Sequence, residues 1–377
     1  MQPNILVEQV AANLPAPIWF VQFFKALGFT LHAIPMNLWY AGLLIALWLH
    51  LRGNTHGQRF GARLLQQMPV IVAFGINLGI VPLLFLQLAY NRVFYPATIL
   101  MAWFWLAIIA LVTLAYYGVY AYAWGLRQQG NAMAAWRKAA GWCAAVFFLA
   151  VGFLFANGLS LTEHVDRWAD LWKQHSVAGA ATGTALNIGD PTLIPRWLLM
   201  FGLALGTTAV WLLVDATWFA RNTVDEDYRR WAWSLAKKLY TVSAIWFAAA
   251  GSWYVYGTWH SAIRQTMFDW PWLPLTVATA VAPALPWALL MTAGFCNEKR
   301  LTLAAIALCQ FGVLGLNATS RQVVQNLNLN PHLQLYTQPT AVQWSPLVMF
   351  LVVFVLGLGV VGWMVWQVAK SLPSPTR

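Results

Sequence analysis

Few side chains in this sequence could do chemistry within an apolar setting, and His32 leads them. It stands in Leu31-His32-Ala33-Ile34-Pro35-Met36-Asn37, where Pro35 lacks a backbone donor and leaves the carbonyl of Leu31 without its helical partner. A neutral imidazole there can ligate haem iron through one nitrogen while the other bonds a carbonyl. The alternative is a hydrogen bond between helices and no ligand. His50 follows 18 residues later, about 27 Å along a helix, where an interfacial position accounts for it. His56 belongs to a connector, and His164, His175, His260 and His332 gather on the opposite side. Asp215, in Leu213-Val214-Asp215-Ala216, is read as the acid within an apolar segment. A proton or ion path and a pair with Arg221 are equal readings of it.

Asn37, Asn77, Asn157 and Asn317 suit hydrogen bonds between helices. Trp103 and Trp105 could flank a flat cofactor or pack against other helices. Cys143, Cys296 and Cys309 form no Cys-x-x-Cys-His run, which excludes covalent c-type haem, and show no zinc spacing.

The elements that must hold these residues follow from composition. Of 377 residues, 60% are apolar and 9% charged, and the mean hydropathy is +0.60. A water-facing domain carries roughly 25% charged residues, so soluble enzymes and disordered chains are excluded. The expected class is an all-α polytopic membrane protein forming a single transmembrane domain over 1–377. Apolar runs of about 20 residues place nine helices at roughly 26–50, 69–90, 98–125, 140–160, 197–220, 239–259, 274–295, 302–319 and 346–369. The opening residues lack a basic n-region and a small-residue cleavage site, so no removable signal peptide is expected.

The net charge of +11 is not a nucleic-acid footprint, because the basic residues sit in short connectors without interleaved aromatics. Fifteen of the 22 Lys and Arg residues fall on one set of connectors. Positive-inside bias then puts the N-terminus outside and the C-terminus inside. The other set holds Lys25, Arg92, Arg167, Lys173, Arg196, Arg264 and Arg321. The longest outer connector, 160–196, opens with Ser160-Leu161-Thr162-Glu163, a capping-box pattern expected to start a short amphipathic helix. Leu161, Val165, Trp168 and Trp172 form its apolar face, opposite Glu163, Asp166, Arg167, Asp170 and Lys173. The Gly, Ala and Thr residues from Val177 to Gly189 read as a flexible loop.

Several patterns, in chain order, resemble subunit I of cytochrome bd quinol oxidases. They are Leu31-His32, Phe74-Gly75-Ile76-Asn77-Leu78-Gly79, Phe155-Ala156-Asn157-Gly158, Ala169-Asp170-Leu171 and Ser320-Arg321-Gln322. The resemblance implies a nine-helix bundle in a bacterial inner membrane, with His32 as haem ligand and Asn77, Gln87 and Arg321 near the cofactor. Gln87, in Leu86-Gln87-Leu88, replaces part of a family Met-Glu-Phe-Gln-Phe-Gly stretch. Pro96 to Val112 contains no acid where the family carries two glutamates, no histidine lies near Trp197, and the long quinol loop after the sixth span is missing.

The expected function is therefore an electron-transfer subunit without oxygen reduction. It would bind haem b or quinone and exchange electrons with an outer redox partner such as a c-type cytochrome, beside other membrane subunits and lipid. The competing expectation is a cofactor-free anchor that docks such a partner through Trp168 and Trp172. A transporter built on Asp215 is weaker, since no internal repeat appears.

Overall fold

A computed structural model describes residues 13–220, 223–293 and 300–371. The opening segment, Arg221, Cys296, Lys299 and Arg377 lie outside the described residues. The chain is almost wholly helical: α1 (Ile18–Arg52), α2 (Thr55–Ala89), α3 (Asn91–Leu100), α4 (Ala102–Gln129), α5 (Ala135–Glu163), α6 (Trp168–Gln174), α7 (Leu193–Phe219), α8 (Glu226–Ser252), α9 (Ser261–Phe268), α10 (Leu273–Thr292), α11 (Arg300–Leu329) and α12 (Trp344–Ser371). Seven of these, α1, α2, α4, α5, α7, α10 and α11, are long and apolar enough to cross a membrane. The protein is thus built as a multi-pass membrane protein.

The expected sixth and ninth segments are helical as well, in α8 and α12. The first half of α8 carries Glu226, Asp227, Arg229, Arg230, Lys237 and Lys238, so its apolar part is short and runs on into a wider π turn over Trp253–Thr258. The expected third span breaks near Met101, separating α3 from α4.

Local chemistry explains the boundaries. Asn54 caps α2 by accepting from the Gly57 amide at 2.9 Å, and Asp225 caps α8 through Tyr228 N at 2.8 Å. Pro35 lies inside α1, and the helix widens into a π turn over Leu38–Gly42 before closing again. Helices α1 and α2 pair, as do α4 with α5 and α7 with α8, while α11 lies against α1 and α7. Leu43, Leu47, Leu64, Met68, Phe148, Leu212 and Tyr240 fill the shared core.

Asn37 ties α1 to α7, its amide donating to Thr207 Oγ1 at 2.9 Å, and Gln310 and Tyr240 extend that network to α11 and α8. The expected bonding of Asn37 between helices is therefore met. Asn157 instead accepts from the Asn187 amide, and Asn77 donates to Ala73 O of its own helix.

The close approach of α1 to α2 depends on glycine. A Cβ on Gly75 would overlap the Trp39 ring, and that ring is stacked on Phe148 at 5.4 Å. Gly75→Ala is expected to cost about 1–3 kcal/mol through overpacking, read as a lower unfolding midpoint in detergent. Gly357→Ala on α12, where a new Cβ meets nothing within 4 Å, should leave the midpoint unchanged.

Candidate functional site

The connector between α5 and α7 differs from its expected form. No helix starts at Ser160: α5 runs on through Glu163, a single tight turn spans Val165–Arg167, and α6 begins at Trp168. The two capping side chains are engaged elsewhere. Ser160 Oγ donates to Asp190 at 2.5 Å and accepts from Asn187 Nδ2 at 2.9 Å, while Glu163 accepts both arms of the Arg196 guanidinium at 2.7 and 2.8 Å. Val165 and Trp168 are buried, and Trp168 Nε1 donates to Leu161 O. Trp168 is therefore a core residue and not available as a docking anchor, whereas Trp172 is exposed.

The segment read as a flexible loop is an ordered strap. Ser176–Val177 and Ala180–Ala181 pair as a hairpin that turns at Ala178 and Gly179, both at positive φ. The chain then bonds to the helix ends below through Trp103 N to Gly183 O and Ala185 N to Leu100 O. Asp190 closes the strap, accepting from Ser160 and from the Thr192 amide and hydroxyl. Burial works against the Asp190 charge, but His164 alongside and those hydrogen bonds outweigh it and hold the carboxyl below its ordinary range.

Beneath the strap, one face of α1 carries Lys25, Phe29 and His32 at helical spacing. His32 Nδ1 lies 2.8 Å from the Gly75 carbonyl of α2. A carbonyl only accepts, so in the neutral ring Nδ1 holds the proton and Nε2 presents its lone pair. Among the described residues Nε2 has no hydrogen-bond partner. Gly79 offers the ring a bare backbone, since a Cβ there would sit 2.8 Å from Cε1. A carbonyl-held imidazole with one free nitrogen is the usual arrangement of a metal-ligating histidine. No cluster of three or more His, Cys, Asp or Glu side chains able to hold a bare metal ion occurs among the described residues.

Arg321 of α11 reaches the same neighbourhood. Its guanidinium stacks over Phe29 at 5.0 Å, and Phe29 lies 6.4 Å from the His32 ring. Gln87 is half-buried on α2. Asn77 is exposed on the side of α2 away from Gly75 and Gly79, so it is not brought to His32. Trp105 packs between Phe94 and Phe155, and Trp103 is exposed, so neither flanks His32.

Lys25 was counted with the outer connectors, yet it lies inside α1 and donates to Gln325 Oε1 at 2.5 Å, with its ammonium 4.3 Å from the Tyr90 ring centroid. Tyr90 donates to Asn326 at 2.6 Å and accepts from Gln322. Sequence reading does not place Lys25, Tyr90, Glu163 and Gln322 together or beside His32. The available signal was a lysine seven positions before His32 on an apolar helix, which shares its face.

Asp215 is held elsewhere. Arg63 of α2 grips it with two bonds at 2.8 and 2.9 Å, and Gln67 adds a third at 3.2 Å. Among the described residues Asp215 thus pairs with Arg63, and the pair expected with Arg221 lies outside the described residues.

Set against known proteins, no family model matches this chain, and no curated protein matches it.

Proposed function

We propose that the chain is an integral membrane subunit of a respiratory electron-transfer complex that binds haem b through His32 near its outer side. The observation that carries the reading is the His32 ring, fixed by the Gly75 carbonyl with Nε2 free. Bound haem supplies one-electron redox chemistry. The chain's own part is to orient the imidazole, to keep a bare glycine face at its edge, and to bring the Arg321 cation within one aromatic ring of it. A quinone is the other ligand of this class.

Oxygen reduction is left out of the proposal because the stretch Pro96 to Val112 has no carboxylate to deliver protons. With α8 and α12 counted as spans, the chain crosses a bacterial inner membrane nine times, N-terminus outside and C-terminus inside, as the basic connectors favour. The strap then faces the outer aqueous phase, where Trp172, Val177 and Ile188 are exposed to a soluble redox partner such as a c-type cytochrome. A cofactor-free anchor is less favoured, since burial of Trp168 removes one of its two anchors.

The test is the reduced-minus-oxidised spectrum with a pyridine haemochrome assay, for wild type and His32→Ala purified from haem-supplied cells. Wild type should carry a b-type signal, and the variant should hold haem at least about tenfold more weakly, the low end for losing support at a metal site. A colourless wild-type protein would remove the proposal.

A further inference from the structure

The outer ends of α1, α5, α7 and α11 enclose a surplus of positive charge. Lys25 joins α1 to α11 through Gln325, Arg196 joins α7 to α5 through Glu163, and Asn328 of α11 reaches the same Glu163. Glu163 gives both oxygens to Arg196 in a fork-to-fork pair, with Asn328 Nδ2 at 3.4 Å as its further donor. Asp190 spends its hydrogen bonds on Ser160 and Thr192.

Among the described residues neither Lys25 nor Arg321 makes an ion pair with an acid. The hydrogen bond of Lys25 goes to a neutral amide, Gln325, one helical turn beyond Arg321 on the same face of α11. Arg321 makes no hydrogen bond among the described residues, and its guanidinium, a carrier of five donors, rests on Phe29. A basic side chain drawn into an apolar bundle without a paired acid keeps its charge only at a cost, which a ligand's counter-charge offsets. Their surroundings are amphiphilic: Phe29 and the Tyr90 ring lie beside amide groups of Gln322, Gln325 and Asn326.

We infer that Lys25 and Arg321 form an oxyanion site for an amphiphile that presents acid groups to the cations and an apolar body to the bundle. A neutral quinone head cannot offset this charge. Ionised carboxylates of a membrane-soluble cofactor and phosphates of a lipid head group can, and both share the chemistry. The inference goes beyond the haem reading because it needs no iron at His32.

Two probes separate the sources and keep the two readings distinguishable. Metal-free protoporphyrin IX, which has carboxylates and no iron, is titrated by fluorescence into the full chain beside its uncharged dimethyl ester. Cardiolipin retention is measured by native mass spectrometry after incubation in phosphatidylcholine nanodiscs containing it. Wild type should bind one acidic probe, at least tenfold more weakly in Lys25→Gln and Arg321→Gln, with part of the loss recovered in Arg321→Lys, and equally in Gly357→Ala on α12. Porphyrin binding assigns the site to a cofactor's carboxylates, and cardiolipin binding assigns it to lipid phosphate. Should the Gln variants fail to fold, wild type decides through the preference for the acid porphyrin over its ester, or for cardiolipin over phosphatidylcholine. Binding of neither probe, equal binding of charged and neutral forms, or affinities unmoved in folded Gln variants would overturn the inference. Loss of the haemochrome in His32→Ala, by contrast, bears only on the haem reading.

Discussion

Arg63→Met should lower the stability of this protein by about 3–5 kcal/mol, because it strands a carboxylate. Asp215 is buried with a side-chain exposure of 2%, and Arg63 supplies two of its three hydrogen bonds among the described residues. Gln67 at 3.2 Å remains but carries no charge. The reverse change should cost less. In Asp215→Asn the orphaned Arg63, at 26% exposure, can turn its head towards water. Replacing both, as Arg63→Met with Asp215→Leu, should recover most of the loss, since a buried pair often does no better than well-packed apolar groups. Unfolding midpoints of the four proteins in detergent form the cycle. Equal losses in the two single variants would contradict the asymmetry. The same result bears on transport, since a carboxylate committed to a guanidinium is a poor ion carrier.

The second large effect is expected at Glu163. Removing its charge by Glu163→Gln leaves Arg196 without its paired carboxylate at a side-chain exposure of 12% and takes away a negative charge that acts on Lys25 and Arg321. A loss of about 3–5 kcal/mol is expected in the ligand-free chain. Because the damage is surplus positive charge, Glu163→Gln together with Lys25→Gln should lose less than the sum of the two. Strict additivity would mean that Lys25 and Glu163 do not share one electrostatic environment.

How far these features could be read from residue order differs with their physical origin. Helix existence was legible because a run of apolar residues long enough for a bilayer satisfies its own backbone hydrogen bonds wherever it lies. The spans at α1, α2, α5, α7, α10 and α11 needed no knowledge of neighbours. His32 was legible for a similar reason: an imidazole beside a proline on an apolar helix is conspicuous whatever surrounds it.

The connector between α5 and α7 departs from its local signals because its residues answer to distant partners. Ser160-Leu161-Thr162-Glu163 carries a local capping signal, yet Ser160 bonds Asp190 thirty positions on, and Glu163 bonds Arg196 thirty-three positions on. Charge-assisted bonds of that kind outweigh a cap, so α5 continues through them. The Gly and Ala residues after Val177 suggest freedom, but their backbone groups find partners at Leu100 and Trp103, invisible in any local window.

Composition and periodicity therefore settled that this is an apolar, helical, multi-pass chain and marked His32 as its most chemically able side chain, because those properties are local sums over neighbouring residues. Which charges meet was settled by packing. The partner of Asp215, the free nitrogen of His32, the fork between Glu163 and Arg196, and the unmatched pair of Lys25 and Arg321 each join helices far apart in the chain. In a low-dielectric interior such meetings govern the energy of a charge, and residue order alone carries no distance between helices.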